Sequence, residues 1–201
     1  GSGHGQTPIA SIGNAARPSW LETAEMTAPL SPAELKILAA LPKGAKADAR
    51  GPDGSLMPVR ASFIRAIVTG TAIASDQIDP RGVQVTGALF AERLDLDDTS
   101  FAHPLAFSEC HFNAGLSGER ADLDALTLEM CVFVAPESEA TVMLNEVRDA
   151  HGLSLKGSYA VGGVRLLGAN ISGQLNCKNG TFTNTTGPAL NAETLTTASN
   201  V

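Results

Sequence analysis

The sequence predicts a mostly-β protein: a right-handed parallel β-helix, quadrilateral in section with about 22 residues per coil, begun by a short α-helical N-terminal cap. Three observations predict it. First, large apolar residues recur as Phe90, Phe101, Phe112, Leu123 and Phe133, at steps of 11, 11, 11 and 10, and apolar doublets (Val83/Val85, Leu94/Leu96, Leu105/Phe107, Leu126/Leu128) fall between them. Each unit therefore offers two inward anchors, five and six residues apart. Second, the residue two before each interleaved anchor is small: Ala88, Thr99, Cys110, Ala121, Cys131, Ala169 and Gly180. In a narrow coil that residue also points inward and has little room. Third, aromatic residues are only 4% of a chain that is 43% hydrophobic, which suits thin stacked layers better than a globular core.

The spacing excludes the common alternatives. An α-helix needs a 3.6-residue period, and an up-and-down barrel needs longer alternating strands. Short strands that turn a corner every five or six residues close a four-sided coil. Successive coils then stack roughly 4.8 Å apart through parallel ladders, and such crossovers are right-handed almost always.

Taken in order, residues 1–30 are rich in Gly, Ser, Pro, Ala and Thr without periodicity and read as an irregular or disordered lead. Residues 31–81 read as the cap. Ser31-Pro32-Ala33-Glu34 forms a capping box with Pro at the first helical position, followed by Leu35, Ile37, Leu38 and Leu41 at helical spacing and stopped by Pro42 and Gly44. Pro52-Asp53-Gly54 marks a turn, and a second helix spans Val59 to Val68 with Phe63, Ile64 and Ile67 on its apolar side. These helices would cover the apolar end and unpaired edges of the first coil. Residues 82–201 are the β-helix. Gly82–Ala88 matches Gly163–Ala169 at an offset of 81, and the unit starts at 83, 94, 105, 116, 126, 142, 153 and 164 reproduce it with one step of 16. That step is one unit plus five residues, an insertion placed at Ala135–Glu139 that should bulge outward, since Pro136 cannot donate to a ladder.

The small-x-large pattern, as in Thr99-Ser100-Phe101-Ala102-His103 and Cys110-His111-Phe112-Asn113-Ala114, resembles the pentapeptide-repeat family. The stretch Leu166–Leu175 is also similar to a group of long bacterial proteins labelled membrane-associated or oxidoreductase. The resemblance implies a β-helix that forms part of a larger bacterial protein, with a parent that can be membrane-associated. This chain differs by its 5/6 alternation and large-x-large doublets, and it has no cofactor motif behind the oxidoreductase label.

Charge is uneven. Residues 1–81 hold 7 acids and 8 bases, whereas residues 82–201 hold 14 acids and 6 bases, a net of −8. An acidic repeat argues against direct nucleic-acid binding, which needs clustered Lys and Arg. The three cysteines, Cys110, Cys131 and Cys177, lack zinc-ligand spacing. Cys110 and Cys131, one coil apart, read as reduced core-filling neighbours rather than as a redox or metal pair. No run reaches the roughly 18 apolar residues of a membrane helix, and no signal peptide is visible, so the expectation is a cytoplasmic location without membrane contact by this stretch. Gly1-Ser2-Gly3 reads as a tag remnant.

No catalytic residue, cofactor or metal site is expected. Glu109 with His111 and His103 could pair a carboxylate with an imidazole, and Asp95, Asp97 and Asp98 resemble a cation cluster, but surface roles fit both sets better. The candidate interaction surface is Asp97, Asp98, Glu109, His111, Pro136, Glu137 and Glu139. Leu190, Leu195 and Val201 extend the anchor series, so the chain should stop within a coil, the parent should be longer, and an open end could pair with a second copy as a homodimer. The leading functional expectation is a non-catalytic structural or protein-interaction module with an unidentified protein partner. The alternatives are an acidic mimic of nucleic acid that inhibits a DNA-binding protein, and a carbohydrate-binding or carbohydrate-active β-helix.

Overall fold

A computed structural model of the chain describes residues 28–135, 140–149 and 151–198. Four all-parallel sheets form the four sides of a solenoid of about five coils. Side 1 contains Val83–Thr86, Leu105–Ser108, Leu126–Glu129, Gly152–Ser154 and Gln174–Asn176; side 2 contains Ala88–Phe90, His111–Phe112, Val132–Val134, Tyr159–Val161 and Thr181–Thr183. Side 3 contains Leu94–Asp95, Leu116–Ser117, Val142–Met143, Val164–Arg165 and Leu190–Asn191; side 4 contains Ser100–Phe101, Asp122–Leu123, Arg148–Asp149, Asn170–Ile171 and Thr196–Thr197.

The ladder register gives the coil length. Val83 pairs with Leu105, Leu105 with Leu126, Leu126 with Leu153, and Leu153 with Leu175, at separations of 22, 21, 27 and 22. The long coil carries its extra five residues between Val132–Val134 and Val142–Met143, where the sequence places them. Of that insertion, Pro136, Glu137, Ser138 and Glu139 lie outside the described residues. A second enlarged corner, not anticipated, lies on the same edge at 184–187, where the Asn184 side chain closes a turn by accepting from the Thr186 amide at 3.0 Å. This insertion changes the meaning of Leu195. Leu190 does continue an anchor column, paired with Val164, but Leu195 stacks beside Ala169 in the column of small residues. Val201 lies outside the described residues.

The core is the predicted one. Phe101, Phe112, Leu123 and Phe133 are all buried. Phe90, Phe112 and Phe133 stack face to face at 4.7 and 4.8 Å, one ring per coil, and Phe107 meets Phe90 and Phe112 edge-on. Coil spacing thus sets the ring spacing, in the offset-stacked and edge-on arrangements that aromatic quadrupoles favour. Asp97, His111 and Asp124 lie outside the core as expected, yet they are half-buried rather than exposed, because stacked neighbours on adjacent coils cover part of each side chain.

The cap is tied into the ladders. The capping box forms at α1 (Pro32–Ala40), where the Ser31 hydroxyl accepts from the Glu34 amide and the Glu34 carboxylate from the Ser31 amide. Ile37 and Leu41 are buried, whereas Leu35 faces solvent. Two strands of two residues, β1 (Ala47–Asp48) and β2 (Met57–Pro58), already pair with the first strands of sides 1 and 2. The second helix, α2 (Ala61–Val68), starts two residues later than the sequence suggested, because Val59 still donates its amide to Leu89. Helix α2 then packs on Leu94–Asp95, covering the leading edge of side 3 with Phe63, Ile64 and Ile67.

Candidate functional site

The corners of a stacked coil repeat the same backbone turn. At the side 3–side 4 corner Asp98, Arg120, Glu146 and Thr194 all have φ between 55° and 56°, and Gly168 takes the same place in its coil. L-residues adopt this left-handed region at a cost, so the corner is held by cross-coil contacts. Arg120 donates two hydrogen bonds of 2.7 Å to Asp98, which holds the Asp98 carboxyl below its usual range. Asp97 accepts from the Ser117 hydroxyl and the Glu119 amide, and Asn145 donates to Glu119 at 2.6 Å. Asp95 accepts from Arg65. The Asp95–Asp97–Asp98 cluster is therefore a chain of struts between coils and cap. Among the described residues no group of three or more His, Cys, Asp or Glu could hold a metal ion.

The structure separates the suggested carboxylate–imidazole group. Glu109 sits on the side 1–side 2 corner and pairs with Arg50 of the cap. His111 lies on the outer face of side 2, and His103 lies at the side 4–side 1 corner against Ser75. Cys110 and Cys131 are buried, unlinked and stacked on adjacent coils. Contact with Cys110 and burial push the Cys131 thiol well up.

A different constellation escaped the sequence reading. Asp149 occupies the side 4 anchor column, in register with Leu123 and Ile171, and is 2% exposed. Its carboxylate accepts from the amides of Leu126 at 3.0 Å, His151 at 3.2 Å and Gly152 at 2.5 Å. Burial pushes its carboxyl up, the three amides pull it back, and the net direction is up. Next to it His151 Nδ1 meets Asp124 Oδ1 at 2.8 Å, on an exposed imidazole. The 22-residue spacing from Asp149 to Ile171 was the available signal. All of the donors to Asp149 are backbone amides, so it reads as a buried corner brace.

The outer faces differ in chemistry. Side 4 shows Ser100, Asp122, Arg148, Asn170 and Thr196, and side 1 shows small or polar residues. Among the described residues, side 2 alone shows a run of apolar residues stacked from coil to coil. Val134, Tyr159 and Val161 are 40%, 44% and 37% exposed, Val132 between them is half-buried, and Met130 projects at the adjoining corner. Val132 pairs with Tyr159 and Val134 with Val161, so the patch is continuous across two coils.

Fold and surface together define a parallel β-solenoid with a helical cap. No protein-family model matches the chain, and no curated protein or solved structure matches it either. Among the described residues no helix is long and apolar enough to cross a membrane.

Proposed function

We propose that the chain is a pentapeptide-like β-helix acting as a non-catalytic protein-interaction module of a larger bacterial protein, with side 2 as its contact face. The apolar patch of Val132, Val134, Tyr159 and Val161 carries this reading, because contiguous exposed apolar surface marks contact sites. The acidic residues support the mimic of nucleic acid less well. Asp98 is bound by Arg120, Asp95 by Arg65 and Glu109 by Arg50, so these charges do not form a free column. A sugar platform is also poorly supplied, since Tyr159 is the only large exposed aromatic among the described residues. The free cysteines fit a reducing, cytoplasmic setting. The test is a photo-crosslinking residue at Tyr159 and, as control, at Thr127 on side 1, in cells expressing the full protein. A discrete adduct from position 159 alone, lost on adding Val161→Lys, supports the reading. Equal labelling from both faces, or none from position 159, counts against it.

A further inference from the structure

The apolar patch of side 2 has a basic edge. Lys156 and Lys178 lie at the side 1–side 2 corner, one coil apart, in the register that pairs Ser154 with Asn176. Of the six bases in residues 82–201, only these two stack on adjacent coils. Both are exposed, and among the described residues neither ammonium meets a carboxylate. Met130 joins this edge to the patch. A Cβ on Gly157 would stand 3.3 Å from Met130 Cγ, so the bare glycine lets the Met130 side chain carry the apolar surface from Tyr159 toward the lysines. We propose, on the reading that side 2 is the contact face, that this surface docks an extended segment of a partner protein, its apolar side chains on the patch and its acidic residues against Lys156 and Lys178.

The dimensions of the face select a segment over a folded partner. Strands Val132–Val134 and Tyr159–Val161 are three residues long, about 10 Å at roughly 3.3 Å per residue. The chain turns away at both corners, and the apolar part is two coils high. A folded partner needs about 800 Å² on each side, more than this ridge supplies, whereas an extended segment of about six residues covers it. The ladder positions beside these strands are already filled by His111–Phe112 and Thr181–Thr183, so side chains rather than an added strand make the contact.

Charge selects an acidic segment. Glu129 is in register with Lys156, but it accepts from the Ser154 hydroxyl at 2.9 Å, and Lys178 leaves this corner net positive. Glu109, one coil earlier, pairs with Arg50. Glu137 and Glu139 follow Val134 in sequence, toward side 3, so the acids of the segment belong at the lysine end. The net −8 of residues 82–201 does not override this, because charges beyond about 8 Å are largely screened at physiological salt. Exposed ion pairs are weak one at a time. The lysines therefore set which segment docks, and the apolar contacts supply most of the affinity.

Fluorescence anisotropy with labelled, blocked hexapeptides on the whole chain tests this. The probe is Asp-Asp-Leu-Phe-Leu-Val, made in both sequence orders. One control replaces its two aspartates by lysines, and the other replaces its four apolar residues by serine and glycine. In at least one order the acidic probe should bind saturably and about fivefold or more tighter than its lysine counterpart, with no saturable binding by the serine–glycine control. Lys156→Glu with Lys178→Glu should exchange the preference, and Lys156→Gln with Lys178→Gln, which adds no charge beside Glu129, should erase it. Both sites are exposed, so circular dichroism should show the fold retained. Val161→Lys should abolish binding of every probe. No saturable binding of the acidic probe, equal binding of the acidic and lysine probes, or a preference unchanged in the folded lysine variants would overturn the inference. Binding that survives Val161→Lys would remove the contact face itself, and the acidic segment with it; binding lost in Val161→Lys but with an unchanged preference in the lysine variants would remove only the acidic segment.

Discussion

Replacing Asp149 with leucine tests whether the solenoid core can hold a charge for structural reasons. The same column holds Leu123 and Ile171, so leucine fits the anchor pattern, and full burial of such a side chain contributes about 1.5–3 kcal/mol. Apolar logic alone therefore predicts a gain. The hydrogen bonds predict the opposite. Val83 and Leu105 donate their amides to the carbonyls of Pro104 and Ala125 on the next coil, but at the corner one residue short, between Leu123 and Leu126, the Leu126 amide turns to Asp149. Leucine leaves the Leu126 and Gly152 amides without an acceptor, while His151 keeps its second bond to the Asp124 carbonyl. Leu126 is buried and Gly152 half-buried; amides orphaned there cost about 1–3 kcal/mol each, so Asp149→Leu should lose about 1–3 kcal/mol net. Urea unfolding at neutral pH, read with an unchanged m-value, measures this. A variant as stable as the parent, or more stable, would falsify the brace.

Two further outcomes follow from the same geometry. Phe112→Ala removes the middle ring of the Phe90–Phe112–Phe133 stack and should cost about 3–5 kcal/mol in the same unfolding assay; a loss below about 1 kcal/mol would mean that the column closes over the gap and the stack is not a packing unit. The cap should loosen in acid. Burial pushes the Glu34 carboxyl up, but the Arg60 guanidinium and the Ser31 and Arg60 amides outweigh it, so its folded pKa lies below the ordinary 4.5. A lowered carboxyl contributes stability that is present above about 4.5 and is lost as pH falls through the folded value. Hydrogen exchange in α1 should accelerate over that window, and Glu34→Gln should remove the pH dependence while weakening α1 at neutral pH; equal pH dependence in both proteins would show that another group controls the cap.

The sequence by itself determined the repeat, the coil length, the core columns and the five-residue insertion. In a solenoid each residue contacts its counterpart about 22 residues away, so the fold is nearly one-dimensional and a local period describes it. The tertiary structure decided whatever depends on small departures from that period. A one-residue deficit before Leu126 calls for Asp149 as a brace, and a four-residue excess at 184–187 moves Leu195 out of the anchor column. Strands of two residues, such as Ala47–Asp48 and Met57–Pro58, are too short to carry a pattern and exist because the first coil offers them an edge. The charges on the outer faces lay outside the period altogether. Whether Asp98 was a free acid or half of a bidentate pair, and whether Lys156 and Lys178 stacked unpaired beside the apolar patch, depended on which side chains the stacked coils and the docked cap brought within hydrogen-bond reach.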